Sequence, residues 1–351
     1  MKSQTDLKAN VWYNVMSNDT EAKYHHLVPQ TYMSAWAKGR GTLKVEFINN
    51  SGTVCEKNKE NIAGITDYHS IKAGMPICTQ ADTDRIFAVL QPYRVEYDSK
   101  IITNTREMNS IFYDFDQWSI TRPDGSPVSK KHILSEILKV KIKDIEANWS
   151  TKYENGWATQ VSVIEQHILN STTDAIPSFD REYIMKFFTA LDWRGFSSNA
   201  QFEDATTWLC NDIMSLGELD IPKEERVLPS LTTAAEEMRH NLLLQYYRKF
   251  LNDTGVIYQD AMARLTHTSF HFLVADGPSF FITSDTPAFV HKYADSSLVG
   301  LLPITPRILL AQGRNTSQED VYYVTHITEE EVQRYNAIIR NNAEEFVILN
   351  W

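Results

Sequence analysis

An α+β fold is the class this sequence predicts, and three observations predict it. Period-two strand patterns lie near both ends of the chain, and helical stripes fill the middle. The 351 residues are 42% hydrophobic and 23% charged, an ordinary globular balance with ample material for a core. The terminal strands are expected to share one mixed or antiparallel sheet. Residues 23–351 then form a single α+β domain with a helical insert over about 127–253, and residues 1–22 are polar and loosely ordered.

The elements follow in order. After Tyr24-His25-His26-Leu27-Val28-Pro29 comes a short helix through Tyr32, Met33 and Trp36, stopped by Gly39-Arg40-Gly41. Leu43-Lys44-Val45-Glu46-Phe47 alternates as a strand does. Asn49 to Gly52 is a turn that leads to a second strand near Val54. An extended segment covers 62–71, and a helix is predicted over 82–97. Between 130 and 170 the apolar positions fall on one stripe, including Ile142, Ile145, Trp149, Trp157, Val161, Ile164 and Ile168, with Gly156 as a break.

A further helix opens at Pro177-Ser178, carries Ile184, Phe187, Phe188 and Leu191 on one face, and stops at Gly195. A shorter helix is predicted over 206–216. Thr233-Ala234-Ala235-Glu236 reads as a capping box for a helix that runs to about Phe250. The period then becomes two at Phe270, Phe272 and Val274, and Asp276-Gly277 predicts a hairpin with Phe280-Phe281-Ile282 as the returning strand. Short strands flank Pro303 and Pro306. Thr328 to Glu331 is a second capping box, and Phe346-Val347-Ile348-Leu349 is a final strand.

Charge and cysteines bound the function. A net charge of -11 repels phosphate backbones and argues against generic nucleic-acid coating. The cysteines Cys55, Cys78 and Cys210 are scattered, so neither a disulfide framework nor a zinc ribbon is expected. The N-terminus lacks the apolar core of a signal peptide, and no apolar run is long enough to cross a membrane. The cytoplasm is the expected address.

Several motifs together resemble a known family. His26-x-x-Pro29-Gln30-x-Tyr32, Leu191-Asp192-Trp193-Arg194, Phe281-Ile282-Thr283-Ser284-Asp285-Thr286-Pro287, Leu302-Pro303-Ile304-Thr305-Pro306-Arg307 and Asn336 occur in the order seen in the family called domain of unknown function 4238. Where the family has Arg-Thr-Pro this chain has Arg194-Gly195-Phe196, and Thr286 replaces the usual Asn after Asp285. The resemblance implies an intracellular microbial protein and no known activity.

The candidate residues come from these motifs. Adjacent imidazoles point in different directions, and the resemblance favours His26 over His25 as a general base or metal ligand. Its structural alternative is a loop-to-helix fastening. Asp285 at a strand end fits a catalytic carboxylate or, equally, a turn cap. Arg194 shares an apolar helix face with Phe187, so it needs a partner. A carboxylate such as Asp285 would serve structurally, and an anionic ligand would serve functionally. Gln30, Tyr32, Arg307 and Asn336 are candidate substrate contacts. Asn336 is also suited to tie helix to sheet. His267 and His271 are too far apart along a strand to share one zinc. No cofactor or metal is identifiable.

Two functions are expected from this. His26, Asp285 and Arg194 together would suit a hydrolase or transferase acting on a phosphate- or carboxylate-bearing partner, such as an anionic small molecule or a nucleotide. The alternative is a non-catalytic binding or scaffold protein whose polar motifs form a structural network.

Overall fold

The computed structural model describes residues 24–50, 52–195, 200–223, 225–314 and 320–351. The stretch 1–22, expected to be loosely ordered, lies outside the described residues. The fold is α+β, with 45% helix, 24% strand and strands towards both termini. The chain divides into two compact units. The first draws its described residues from Met1–Thr66, Asn148–Thr206 and Lys249–Trp351, and the second from Asp67–Ala147 and Thr207–Arg248. The helical stretch expected over 127–253 is thus shared between the two.

In the first unit a four-stranded antiparallel sheet runs in the order Thr283–Ser284, Phe346–Leu349, Thr42–Phe47, Val54–Asn58. The strands from the two ends of the chain therefore meet, with Ile348 opposite both Val45 and Thr283. A six-stranded mixed sheet has the order Phe289–Lys292, Leu298–Thr305, Ile308–Arg314, Thr268–Ala275, Val321–Ile327, Ala175–Pro177. Its one parallel pairing joins Thr268–Ala275 to Val321–Ile327. The expected hairpin at Asp276-Gly277 does not form a ladder. Pro278 has no N–H to offer one, and the partner of Thr268–Ala275 is Ile308–Arg314.

Helix Glu329–Asn342 has the expected capping box between Thr328 and Glu331. It buries Val332 and Ile339 against Phe281, Leu301, Leu309 and Val347. Two further helices, Asn155–Ile168 and Arg181–Arg194, bring Trp157 and Phe187 face to face, with ring centroids 3.7 Å apart and planes 6° apart. The second helix starts at Arg181 rather than at Pro177, because Ala175–Pro177 is an edge strand of the mixed sheet. Gly156 is not a break. It sits inside a helical run, where a Cβ would come 3.1 Å from the Tyr183 hydroxyl, so it permits close packing.

In the second unit the helix expected over 82–97 is shorter. Gln80–Ile86 is helical, Ala88–Leu90 is a 3₁₀ turn, and Arg94–Tyr97 is a strand between Lys100–Ile101 and Ser119–Thr121. Phe87, at φ -97° and ψ 12°, leaves helical geometry and ends the α-helix, and Pro92 further on has no N–H with which to resume it. Arg248 grips Asp82 with both terminal nitrogens, at 2.7 and 3.1 Å, and also bonds Asp144 at 2.9 and 3.0 Å. The predicted capping box at Thr233 and Glu236 opens helix Ala234–Leu251. Among the described residues no helix is long and apolar enough to cross a membrane.

Candidate functional site

Strand alternation decides which imidazole of the pair turns inward. Tyr24–His26 pairs antiparallel with Gly64–Thr66, and the middle residue, His25, is only 1% exposed while His26 is half-buried. The buried imidazole is thus the one that the motif comparison set aside. Gly64, which stands opposite His26, is required, because a Cβ there would come within 2.7 Å of the His25 carbonyl oxygen. The His26 ring meets the Tyr24 ring edge-on at 5.1 Å, and its Nε2 lies 3.3 Å from the Gln30 amide nitrogen.

Arg194 touches His26 through the backbone. Its Nη2 donates to the His26 carbonyl, and its Nη1 donates to Glu154 at 2.6 Å. The guanidinium lies 4.7 Å from the centroid of the Trp149 ring, and the side chain is 1% exposed. The carboxylate partner is Glu154, not Asp285. Glu154 lies two residues before Gly156, on the helical run that packs against Arg181–Arg194. No pattern at sequence level links the two, which are 40 residues apart.

Asp285 is completely buried and serves the C-terminal strand. Its carboxylate accepts from the Glu344 and Glu345 N–H groups at 3.1 and 2.6 Å, and its own N–H donates to the Phe346 carbonyl. Burial pushes its pKa up to about 7, against the pull of those N–H donors. Asn336 clamps the preceding segment. Its Oδ1 accepts from Ile282 N–H at 3.0 Å, and its Nδ2 donates to the Phe280 carbonyl at 2.8 Å. Tyr32 completes the set. It is fully buried, its hydroxyl lies 2.7 Å from Thr283 Oγ1, and it donates to the Pro303 carbonyl at 2.7 Å.

Arg307 covers the Phe280 ring at 4.1 Å and donates to the Ala275 and Gly277 carbonyls at 3.0 and 2.6 Å. The motifs that are far apart in sequence are therefore joined in the first unit by hydrogen bonds. The joined groups are mainly backbone carbonyls and N–H groups, with buried side chains between them. His26, Arg194 and Asp285 are not brought together as three side chains. Arg194 meets the backbone of His26, and Asp285 bonds elsewhere.

The second unit contains polar features that lie outside these motifs. His69 is fully buried, and its Nδ1 lies 2.7 Å from a carboxylate oxygen of Glu146. The rings of Tyr68 and Tyr247 flank it at 5.3 and 5.7 Å. An imidazole nitrogen and a carboxylate oxygen this close are also two donors of the kind that a divalent cation takes. His240 packs beside Tyr68 at 4.9 Å, and its Nε2 donates to the Tyr68 carbonyl at 2.9 Å. Burial drives its pKa down to about 4, and the nearby charges of His69 and Lys72 add to that. The signal in sequence was the Tyr68-His69 pair, read only as extended chain.

The same unit has a cleft of about 360 Å³ between the 74–77 turn, Tyr113 and helix Ala234–Leu251. Asn109 holds the turn, accepting from Gly74 N–H at 2.8 Å and donating to the Met75 carbonyl at 3.0 Å. Gly74 has φ +85° and lies against the Tyr113 ring, so both its conformation and its space call for glycine.

Fold and motifs together define an α+β protein of two compact units, the first bound together by its recurrent motifs. The chain belongs to the family of proteins of unknown function DUF4238, which matches residues 24–350. No curated protein and no solved structure matches it.

Proposed function

We propose that this is a binding protein whose recurrent motifs fasten the first unit and do not perform chemistry. One observation carries the reading: the polar groups of Tyr32, Arg194, Asp285 and Asn336 are buried and bonded to other parts of the same unit. Groups bonded in this way have little capacity left to recognise or attack a substrate. The three cysteines are free, which agrees with a cytoplasmic address.

The test is Arg194→Ala and Asp285→Ala in the full chain, measured by urea unfolding and soluble yield. Fastening predicts a large fall in stability in both variants. Two well-folded variants of undiminished stability would overturn it.

A second reading is hydrolysis or group transfer at a phosphate- or carboxylate-bearing substrate, for instance a nucleotide. The His69–Glu146 pair favours it, because a carboxylate that orients an imidazole is a recurrent general-base arrangement. Glu146→Gln would then abolish turnover in a screen of phosphate and carboxylate esters while leaving the fold intact.

A further inference from the structure

The cleft of the second unit has a floor and a rim of different chemistry. Pro76, Ile77, Met238 and Leu242 make it apolar. Residues 234, 237, 238, 241, 242 and 245 line it from one helix, at the three- and four-residue spacing that puts them on one face.

That face carries one charged group and two amides, Glu237, Asn241 and Gln245. Glu237 carries the charge, and its Oε1 already accepts from Val227 N–H at 2.9 Å, which fixes the carboxylate in place. One turn later, Asn241 donates its Nδ2 to the Glu237 carbonyl at 3.0 Å. That bond leaves the Asn241 Oδ1 pointing away from its own helix backbone. This oxygen is buried without a hydrogen-bond partner among the described residues. Among the described residues no Lys, Arg or His lines the cleft. A buried acceptor without a donor is unfavourable, and a carboxylate on an apolar wall without a cation is likewise incompletely satisfied.

We propose that this cleft binds a compact organic cation: a primary amine on an aromatic or aliphatic body. The ammonium would sit between the Glu237 carboxylate and Asn241 Oδ1, and the body would lie on Met238, Leu242 and Ile77. The volume lies at the small end of ligand pockets, which suits a single-ring amine. An anion would be repelled by the Glu237 carboxylate, and a neutral isostere would lose the charge pairing. The proposal gives the binding reading a ligand class and rests on it. The fastening role of the first unit's motifs is tested separately, by stability.

The test is calorimetric titration of the full chain with phenethylamine, 2-phenylethanol and phenylacetate, three probes of matched shape and different charge. Saturable binding of the amine is expected, weaker by about tenfold or more in Glu237→Gln. That variant keeps an acceptor for Val227 N–H and the same shape. Asn241→Leu should weaken the amine too, with thermal melts verifying that both variants fold. The proposal is overturned if the amine does not bind at millimolar concentration. It is equally overturned if the alcohol or the acid binds as well as the amine, or if neither variant changes the affinity.

Discussion

At the scale of single residues, the largest effects are expected where a buried polar group has its partner removed. Arg194→Ala would remove the cationic partner of the largely buried Glu154 carboxylate and a donor to the His26 carbonyl. Loss of one member of a buried ion pair costs about 3–5 kcal/mol, and urea unfolding would read it directly. Asn336→Ala removes two bonds to backbone and should cost about 2 kcal/mol. Asn336→Asp separates the two bonds, since a carboxylate still accepts from Ile282 but repels the Phe280 carbonyl. It should be worse than alanine in the same assay. These roles were half legible in sequence. An arginine on an apolar face announces that it needs a partner, and an asparagine in a helix beside a strand announces a tie. Which carboxylate answers Arg194 was not legible, because Glu154 is chosen by how two helices pack.

At the scale of elements, periodicity and capping were the dependable signals. Thr328 and Glu331 cap each other as their spacing requires, at 2.9, 3.0 and 3.4 Å. Thr328→Ala should therefore cost about 1 kcal/mol in thermal or urea unfolding. What sequence misjudged were places where a local signal met a competing one. Asp276-Gly277 has hairpin chemistry, but Pro278 follows it and Asn336 takes the Ile282 N–H. Apolar spacing continues past Ile86, but Phe87 leaves helical geometry and Arg94–Tyr97 pairs as a strand. Gly156 looks like a stop and is in fact a contact surface for Tyr183. The cleft was illegible because the 74–77 turn and the helix face that form it are more than a hundred residues apart.

At the scale of the whole molecule, the two units should respond to pH in opposite senses. His240 in the second unit has its pKa lowered from 6.5 to about 4, so its neutral form is the one that the fold accepts. Its contribution is complete above pH 6.5 and is lost as the pH falls towards 4, by about 3 kcal/mol in total. Asp285 in the first unit has its pKa raised from 3.8 to about 7. Its contribution is complete below pH 3.8 and is lost as the pH rises towards 7. Hydrogen exchange followed peptide by peptide should show segments 67–147 and 207–248 loosening first in acid. His240→Gln should flatten that acid response and leave the first unit's peptides unchanged.

The position of Phe346–Leu349 has a consequence for biosynthesis. It is an interior strand of its sheet, with Thr283–Ser284 on one side and Thr42–Phe47 on the other, yet it is the last strand of that sheet to leave the ribosome. Until it arrives, Thr42–Phe47 has one open edge, and Asp285 lacks the Glu344 and Glu345 N–H groups that satisfy it. The first unit must therefore wait for Phe346–Leu349 to emerge, holding until then an unpaired strand edge of the kind that invites association. A chain that stops before Phe346 should be aggregation-prone rather than merely weakened.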